Sequence, residues 1–167
     1  EVVSVAGDTP VLAAGGIVTG RQMAAAMAMG AAGAWCGSVW LTTVEAEPPP
    51  HVKEKLLAAT SSDTVRSRSR TGKPSRQLRS PWTDAWEANG PGPLPMPLQS
   101  LLVEPALLRI DKLAQSGHAG ARDLATYWVG QGVGLMNQEM SAAAVVQEFK
   151  ADFLLACERL AESLVEP

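Results

Sequence analysis

The sequence predicts an α/β fold, and three observations near its N-terminus support this class. An apolar run at residues 9–17 enters a Gly-Gly pair, an Ala- and Met-rich segment follows at 23–29, and a second apolar run begins at Ala34. A strand that ends in a tight turn, then a helix, then another strand produces this order. We therefore predict a βαβ unit of roughly 30 residues, with buried parallel strands and small residues after each strand.

Thr19 is the predicted N-cap of the helix in this unit, and Gly30 and Gly33 bracket its C-terminal end. The 23 uncharged residues 22–44 are long enough to cross a membrane. Because glycines interrupt them and polar residues end them, we expect a buried helix followed by a buried strand, and no membrane span. The first residues show no basic-then-apolar leader, so we expect no secretory signal in them and a cytoplasmic protein.

Further helices are predicted at residues 52–59, from about Pro105 onward, and after Ser141, which is a candidate N-cap. The last of these is the clearest, because apolar residues recur along it every three or four positions. This stripe, which we expect to cover a sheet or another helix, consists of Val145, Phe149, Phe153, Cys157, Leu160 and Leu164. Residues 89–97 hold four prolines and two glycines and should be irregular.

Composition limits the function classes. The chain has 167 residues, of which 46% are hydrophobic and 19% charged, and its net charge of −3 argues against a protein built mainly to hold nucleic acid. Two cysteines cannot form a disulfide framework, and with only two histidines they lack the spacing of a zinc site, so we expect no metal.

Residues 64–83 hold six basic residues and no acidic one. Arg-Ser alternation in this run could mark a nucleic-acid segment. However, Leu78, Trp82 and Trp86 follow at four-residue spacing, which favours a packed amphipathic turn in a solvated or subunit-facing element. A site for an anionic substrate or cofactor tail is the third interpretation.

Two turns could cradle a phosphate. Gly15-Gly16 follows the first strand and precedes a helix, and Gly37-Ser38 follows the second strand. Glycine permits close backbone approach, and helix N-termini offer unpaired N–H groups. Neighbouring parallel strands would bring both turns to one end of the sheet. The alternative is that both are merely tight turns; neither a Walker motif nor a GxGxxG fingerprint is present.

The segments PVLAAGGI at 10–17, GRQMAAAMAMGAAGAWCGSVWL at 20–41 and TGKPSRQLR at 71–79 resemble the C-terminal part of the nitronate monooxygenase family, formerly 2-nitropropane dioxygenase. That family resembles the flavin-dependent enoyl-ACP reductases. The likeness is strong at 10–41 and 64–87, and looser at 92–99 and 130–136.

This resemblance implies the C-terminal portion of an FMN-binding (β/α)₈ TIM barrel, strands seven and eight, plus a smaller mainly helical domain. The implied regions are the last strands and helices of the barrel at 1–47, the small domain with its basic and Pro-rich segments at 48–119, and C-terminal helices packing back on the barrel at 120–167. Alone, such a chain would expose the edge of strand seven and the inner face of both strands.

The resemblance also implies which residues bind FMN. Residues 14–16 match the family's first phosphate turn. Gly37 and Ser38 match the second, where the family more often has Gly-Thr. Gln131 falls in a segment of the family that lies near the flavin. These cofactor-binding candidates are Ala14, Gly15, Gly16, Gly37, Ser38 and Gln131.

The family's catalytic histidine lies upstream of the AGGI strand, in a Gly-Gly-His type segment, and nothing here matches it. His51 follows Pro50 in an expected loop, and His118 lies between Gly117 and Ala119. We therefore expect no catalytic residue in this chain, which would be a fragment of a longer enzyme or a truncated product.

The function implied is oxidation of an alkyl nitronate by O₂ to a carbonyl product and nitrite, with this chain supplying the FMN phosphate cradle. The open alternatives are reduction of an enoyl thioester with a nicotinamide donor, and a non-catalytic fragment. The expected partner is a small-molecule substrate, not nucleic acid or a membrane, and a homodimer is allowed.

Overall fold

The computed structural model describes residues 1–88 and 90–164. The predicted irregular segment 89–97 and the region 120–167 each include positions outside these ranges. The helices of the described residues are α1 (Val2–Val5), α2 (Gly20–Ala28), α3 (Pro50–Ala58), α4 (Pro81–Ala88), α5 (Leu98–Gln115), α6 (Ala119–Leu124) and α7 (Ala142–Glu162). The strands are β1 (Leu12–Ala14), β2 (Gly33–Trp35), β3 (Thr64–Ser67) and β4 (Ser75–Leu78). Short 3₁₀ helices occupy Ser38–Thr42, Ser61–Asp63 and Gln131–Leu135.

The predicted βαβ unit is confirmed. Strands β1 and β2 pair in parallel, with Leu12 opposite Gly33 and Ala14 opposite Trp35, and α2 connects them. Thr19 caps α2 as expected, and Gln22 completes a capping box with it. The apolar residues after Gly37 do not extend β2 but form the first of the 3₁₀ helices.

The two strands are exposed on one face, so the predicted burial holds for the other face only. An exposed inner face is what the resemblance implies for two barrel strands on their own. Leu12 is 49% exposed and Trp35 is 70% exposed, whereas the alternate residues Ala13 and Ala34 are half-buried. Since successive side chains of a strand point to opposite faces, Leu12 and Trp35 share the open face. The βαβ unit thus covers only one side of its own sheet.

Helix α7 packs across the start of α2. A Cβ on Gly20 would overlap the carbonyl oxygen of Phe149 and lie 2.5 Å from the backbone nitrogen of Phe153, so the two helix backbones are in direct contact. In the predicted apolar stripe of α7, the first three residues are buried or half-buried and the last three are exposed, these being Cys157, Leu160 and Leu164. Only the first half of the stripe therefore has a packing partner within the described chain.

A polar contact joins the same two helices. The carboxylate of Asp152 on α7 accepts the backbone N–H of Arg21 at 2.7 Å and its side-chain Nε–H at 2.8 Å. The donating Arg21 side chain holds the pKa of Asp152 below its ordinary value. A carboxylate at the first turn of a helix is also favoured by the helix dipole.

The basic run forms a β-hairpin rather than a single amphipathic turn. Strands β3 and β4 pair antiparallel from Thr64–Leu78 to Ser67–Ser75. Leu78 belongs to β4, while Trp82 and Trp86 share one side of α4, so the four-residue spacing crosses two elements. The core beneath the hairpin contains Val52, Leu56, Ala59, Leu78, Val129 and Val133.

Pro105 does not begin a helix; it lies inside α5, which starts at Leu98. Proline removes one helical hydrogen bond, the one that would end on the carbonyl of Leu101. Both Pro105 and Leu101 are exposed, so water can bond to that carbonyl. A proline on the solvent face was therefore compatible with a continuous helix.

The uncharged segment 22–44 divides into α2, β2 and a 3₁₀ helix, as the sequence suggested in outline. Within the described residues, no helix combines the length and the apolar character needed to cross a bilayer.

Replacing Gly20 with alanine should destabilise the protein, because the added Cβ meets backbone atoms of α7 that cannot move independently. We expect a loss of about 1–3 kcal/mol in the free energy of unfolding, measured by urea denaturation. The control is Gly120→Ala in α6, where the new Cβ would meet only the His118 ring at 3.5 Å. That variant should be neutral or stabilised by about 0.4–1 kcal/mol. Equal effects at both positions would contradict close packing of α2 on α7.

Replacing Asp152 with asparagine should lower Tm at pH 7 and leave it unchanged in strong acid. The folded pKa of Asp152 is lowered, so its carboxylate stabilises the fold above the ordinary aspartate pKa of about 4. This stabilisation disappears as the pH falls through the lowered folded value. Thermal melts of both proteins across this range test the sign, with Glu148→Gln on the same helix as the matched control. A difference in Tm that persists unchanged in strong acid would contradict the ionic contribution.

Candidate functional site

The two predicted phosphate turns lie at the same edge of the parallel sheet. Ala14 ends β1 and is followed by Gly15 and Gly16, while Gly37 and Ser38 follow β2 and begin the 3₁₀ helix Ser38–Thr42. Because β1 and β2 are adjacent and parallel, their carboxyl ends meet. The geometry therefore brings together the residues that the sequence pairs.

A third glycine segment closes on these turns. The N–H of Gly130 donates to Ser38 Oγ at 2.8 Å. A Cβ on Gly130 would lie 3.2 Å from Ser38 Oγ and 3.5 Å from Gly16 N. A Cβ on Gly132 would lie 2.8 Å from the carbonyl oxygen of Gly16. Glycine at both positions permits an approach that a side chain would prevent.

The hairpin positions this third segment. Leu78 N–H donates to the carbonyl of Tyr127 at 2.9 Å, and Val129 N–H donates to that of Arg76 at 3.2 Å. Residues 127–129 thus run along the edge of β4, and this places the next residue, Gly130, beside Ser38. The guanidinium carbon of Arg70 lies 4.0 Å from the ring centroid of Trp128, and burial lowers the pKa of Arg70.

The assembled turns have open space beside two of their glycines and also carry free donors. A Cβ on Gly15 or Gly37 would meet nothing within 4 Å. Gly15 and Gly16 adopt φ values of 102° and 73°, which favour glycine. Throughout the described residues, the N–H groups of Gly16, Gly37 and Ser38 have no acceptor. Two of these groups, those of Gly37 and Ser38, are successive, and successive free N–H groups are a common element of anion-binding concavities.

Ser38 adds a side-chain donor to this set. Its Oγ already accepts the Gly130 N–H, so its hydroxyl proton remains available to a ligand. The site is built from neutral main-chain and hydroxyl donors.

The N-terminus of α2, by contrast, is occupied by the protein itself. The Thr19 hydroxyl accepts the Gln22 N–H, and the Asp152 carboxylate accepts the Arg21 N–H. Free donors of the α2 helix, which the sequence pattern suggested, are therefore not available at these positions. The free N–H groups at this edge are instead those of Gly16 and of the start of the 3₁₀ helix.

The remaining candidates lie apart from the turns or at their rim. Gln131 is exposed and begins the 3₁₀ helix directly after Gly130. His51 was expected in a loop but lies in the first turn of α3, because Pro50 is the first residue of that helix. His51 is buried with Nε2 3.6 Å from Asp111 Oδ1, and His118 Nδ1 accepts the N–H of Ala121 to cap α6.

Comparison with known proteins identifies relatives of the whole arrangement. The family model of nitronate monooxygenase matches residues 1–152. A Mycobacterium tuberculosis protein named as a monooxygenase, Rv1533, is 61% identical over 92% of this chain. The chain spans only 41% of that relative's length.

Two solved structures are also similar to most of this chain, and this chain again covers less than half of each of them. The nitroalkane oxidase of Streptomyces ansochromogenes superimposes with a TM-score of 0.76 at 33% identity, covering 92% of this chain and 42% of that one. FabK from Thermotoga maritima superimposes with a TM-score of 0.71 at 29% identity, covering 93% of this chain and 48% of that one.

Replacing Ser38 with alanine should leave the Gly130 N–H without an acceptor and loosen the 130–132 segment. We expect a loss of about 1 kcal/mol in stability and faster hydrogen exchange at the Gly130 amide, measured by NMR. Ser38→Thr keeps the hydroxyl and should retain slow exchange. If alanine and threonine give the same exchange rate, the hydrogen bond does not hold the segment.

Proposed function

The chain belongs to the nitronate monooxygenase family, and from this premise we propose that it forms the FMN phosphate-binding part of an oxidoreductase acting on alkyl nitronates. The single observation that carries the proposal is that the free donors of Gly16, Gly37 and Ser38 follow two adjacent parallel strands at the same edge of the sheet. The resemblance of the sequence had pointed to the same turns.

The donor set fits the phosphate of FMN. Three main-chain N–H groups and one hydroxyl could each donate to a phosphate oxygen. The space that a Cβ would take at Gly15 or Gly37 has no other atom within 4 Å. FMN, when bound, would accept electrons from the substrate. The chain's own residues would hold and orient it, with Ala14 and Gln131 at the rim of the site.

The proposed architecture explains the exposed strand face. Two parallel strands with one covered side suit the last two strands of a (β/α)₈ barrel, whose phosphate sites frequently follow strands seven and eight. Leu12 and Trp35 would then face the barrel interior. We propose the division into regions 1–47, 48–119 and 120–167 on this basis, in a protein whose relatives are more than twice as long.

The substrate we propose is a small alkyl nitronate, oxidised by O₂ to a carbonyl compound and nitrite. His51 and His118 hold structural positions in α3 and at the start of α6. We therefore assign the catalytic base to neither, and propose that it comes from outside these 167 residues.

A second candidate is reduction of an enoyl thioester with a nicotinamide donor. The likeness to FabK, with a TM-score of 0.71, favours keeping it. It receives less support because the matching family model is that of nitronate monooxygenase, and the nitroalkane oxidase superimposes with the higher TM-score of 0.76. Both candidates use the same phosphate site.

Titration of the chain with FMN tests the proposal. We expect micromolar binding, seen as a change in flavin fluorescence, and weaker binding of riboflavin, which lacks the phosphate. Two assays on the protein that carries this chain separate the two candidates. A nitronate monooxygenase would release nitrite from a nitronate, whereas an enoyl reductase would oxidise NAD(P)H when an enoyl substrate is added. Absence of FMN binding up to millimolar concentration would sink the proposal that these residues hold the cofactor.

A further inference from the structure

We propose that Gln22 is a positioning residue for the phosphate turn, a role that rests on the proposed function of the site. Its side-chain amide bonds to backbone groups of three residues that link the turn to α2, namely Gly16, Val18 and Thr19. Oε1 accepts the N–H of Val18 at 2.8 Å and that of Thr19 at 3.1 Å, and Nε2 donates to the carbonyl of Gly16 at 3.1 Å. One half-buried side chain thus fixes the chain as it leaves Gly16.

The orientation of the amide follows from its partners. Two backbone N–H groups require an acceptor, and the Gly16 carbonyl requires a donor, so Oε1 and Nε2 cannot be exchanged. A carboxylate at position 22 could accept from Val18 and Thr19 but would set a second oxygen against the Gly16 carbonyl. The capping function therefore tolerates glutamate, whereas the contact with the turn needs an amide.

The turn needs such a support because its two central residues are glycines, which restrict the backbone little on their own. Gly15 and Gly16 both have positive φ, and glycine reaches many other conformations at little cost. The Gly16 carbonyl is also the atom against which Gly132 packs. Holding this carbonyl fixes one peptide of the turn and the surface that receives the 130–132 segment. Donors held in place before the ligand arrives bind it with less loss of entropy.

A purely structural role would give a different signature. Gln22 belongs to the capping box of α2, so its loss lowers stability in either case. Only a positioning role predicts that the preference for FMN over riboflavin also falls, because the two ligands differ in the phosphate alone. Ser141, the N-cap of α7, offers a matched control, since its Oγ accepts the Ala144 N–H far along the chain from the turn.

The test measures dissociation constants for FMN and riboflavin, together with Tm, in the full chain and three variants. Gln22→Met, which removes every hydrogen bond without adding charge, should weaken FMN binding by about three- to tenfold and leave riboflavin binding unchanged. Gln22→Glu keeps the capping contacts and should lower Tm less than Gln22→Met, yet weaken FMN binding at least as much. Ser141→Ala should lower Tm and keep the preference for FMN.

The outcomes separate the two proposals. A wild-type preference for FMN that survives in Gln22→Met and Gln22→Glu overturns the positioning role and leaves the phosphate site intact. A wild-type chain that shows no preference for FMN overturns the phosphate site, and the role of Gln22 with it. Loss of the preference in Ser141→Ala as well would show that general destabilisation is the cause, and would also overturn the positioning role.

Discussion

The parallel pairing of β1 with β2 is the constraint on which the rest of the site depends. Only three residue pairs form this ladder, yet they set the two turns that follow the strands at one edge. The helix between the strands must then cross back over the sheet, and α7 covers its first turn through the direct backbone contact at Gly20. The short ladder is thus supported through α2, against which α7 packs, although α7 lies more than a hundred residues further along the chain.

Backbone approach governs the site more than side-chain chemistry does. Gly20, Gly130 and Gly132 each lie where a Cβ would meet main-chain or neighbouring atoms at 3.2 Å or less. These contacts connect the three parts of the chain that build the edge: the βαβ unit, the segment that runs along β4, and the last helix. The side chains that matter, Ser38 and Gln22, act by bonding to the backbone of another segment.

Local signals in the sequence predicted the elements well where one short stretch decides the structure. The capping residues Thr19 and Ser141, the βαβ order and the last helix follow from neighbours within a few positions. The start of the helix near Pro105 and the single turn expected from Leu78 to Trp86 were wrong, because solvent exposure and strand pairing, which are tertiary properties, decided them. The two phosphate turns could be paired from the sequence, but the bond from Gly130 to Ser38 joins residues 92 positions apart, and no local pattern contains it.

The use of main-chain donors has a consequence for how such a site can change over generations. A lysine or arginine that holds a phosphate is lost by a single codon change, whereas an N–H group is present whatever residue is encoded, proline excepted. The sequence requirement is therefore for positions without a Cβ atom, because a Cβ would fill the space for the ligand or prevent the close approach of two backbone segments. Substitutions around the edge leave the main-chain donors in place, so the tolerance of this part of the molecule to sequence change is limited at its glycines and at the two side chains that bond to its backbone, Ser38 and Gln22.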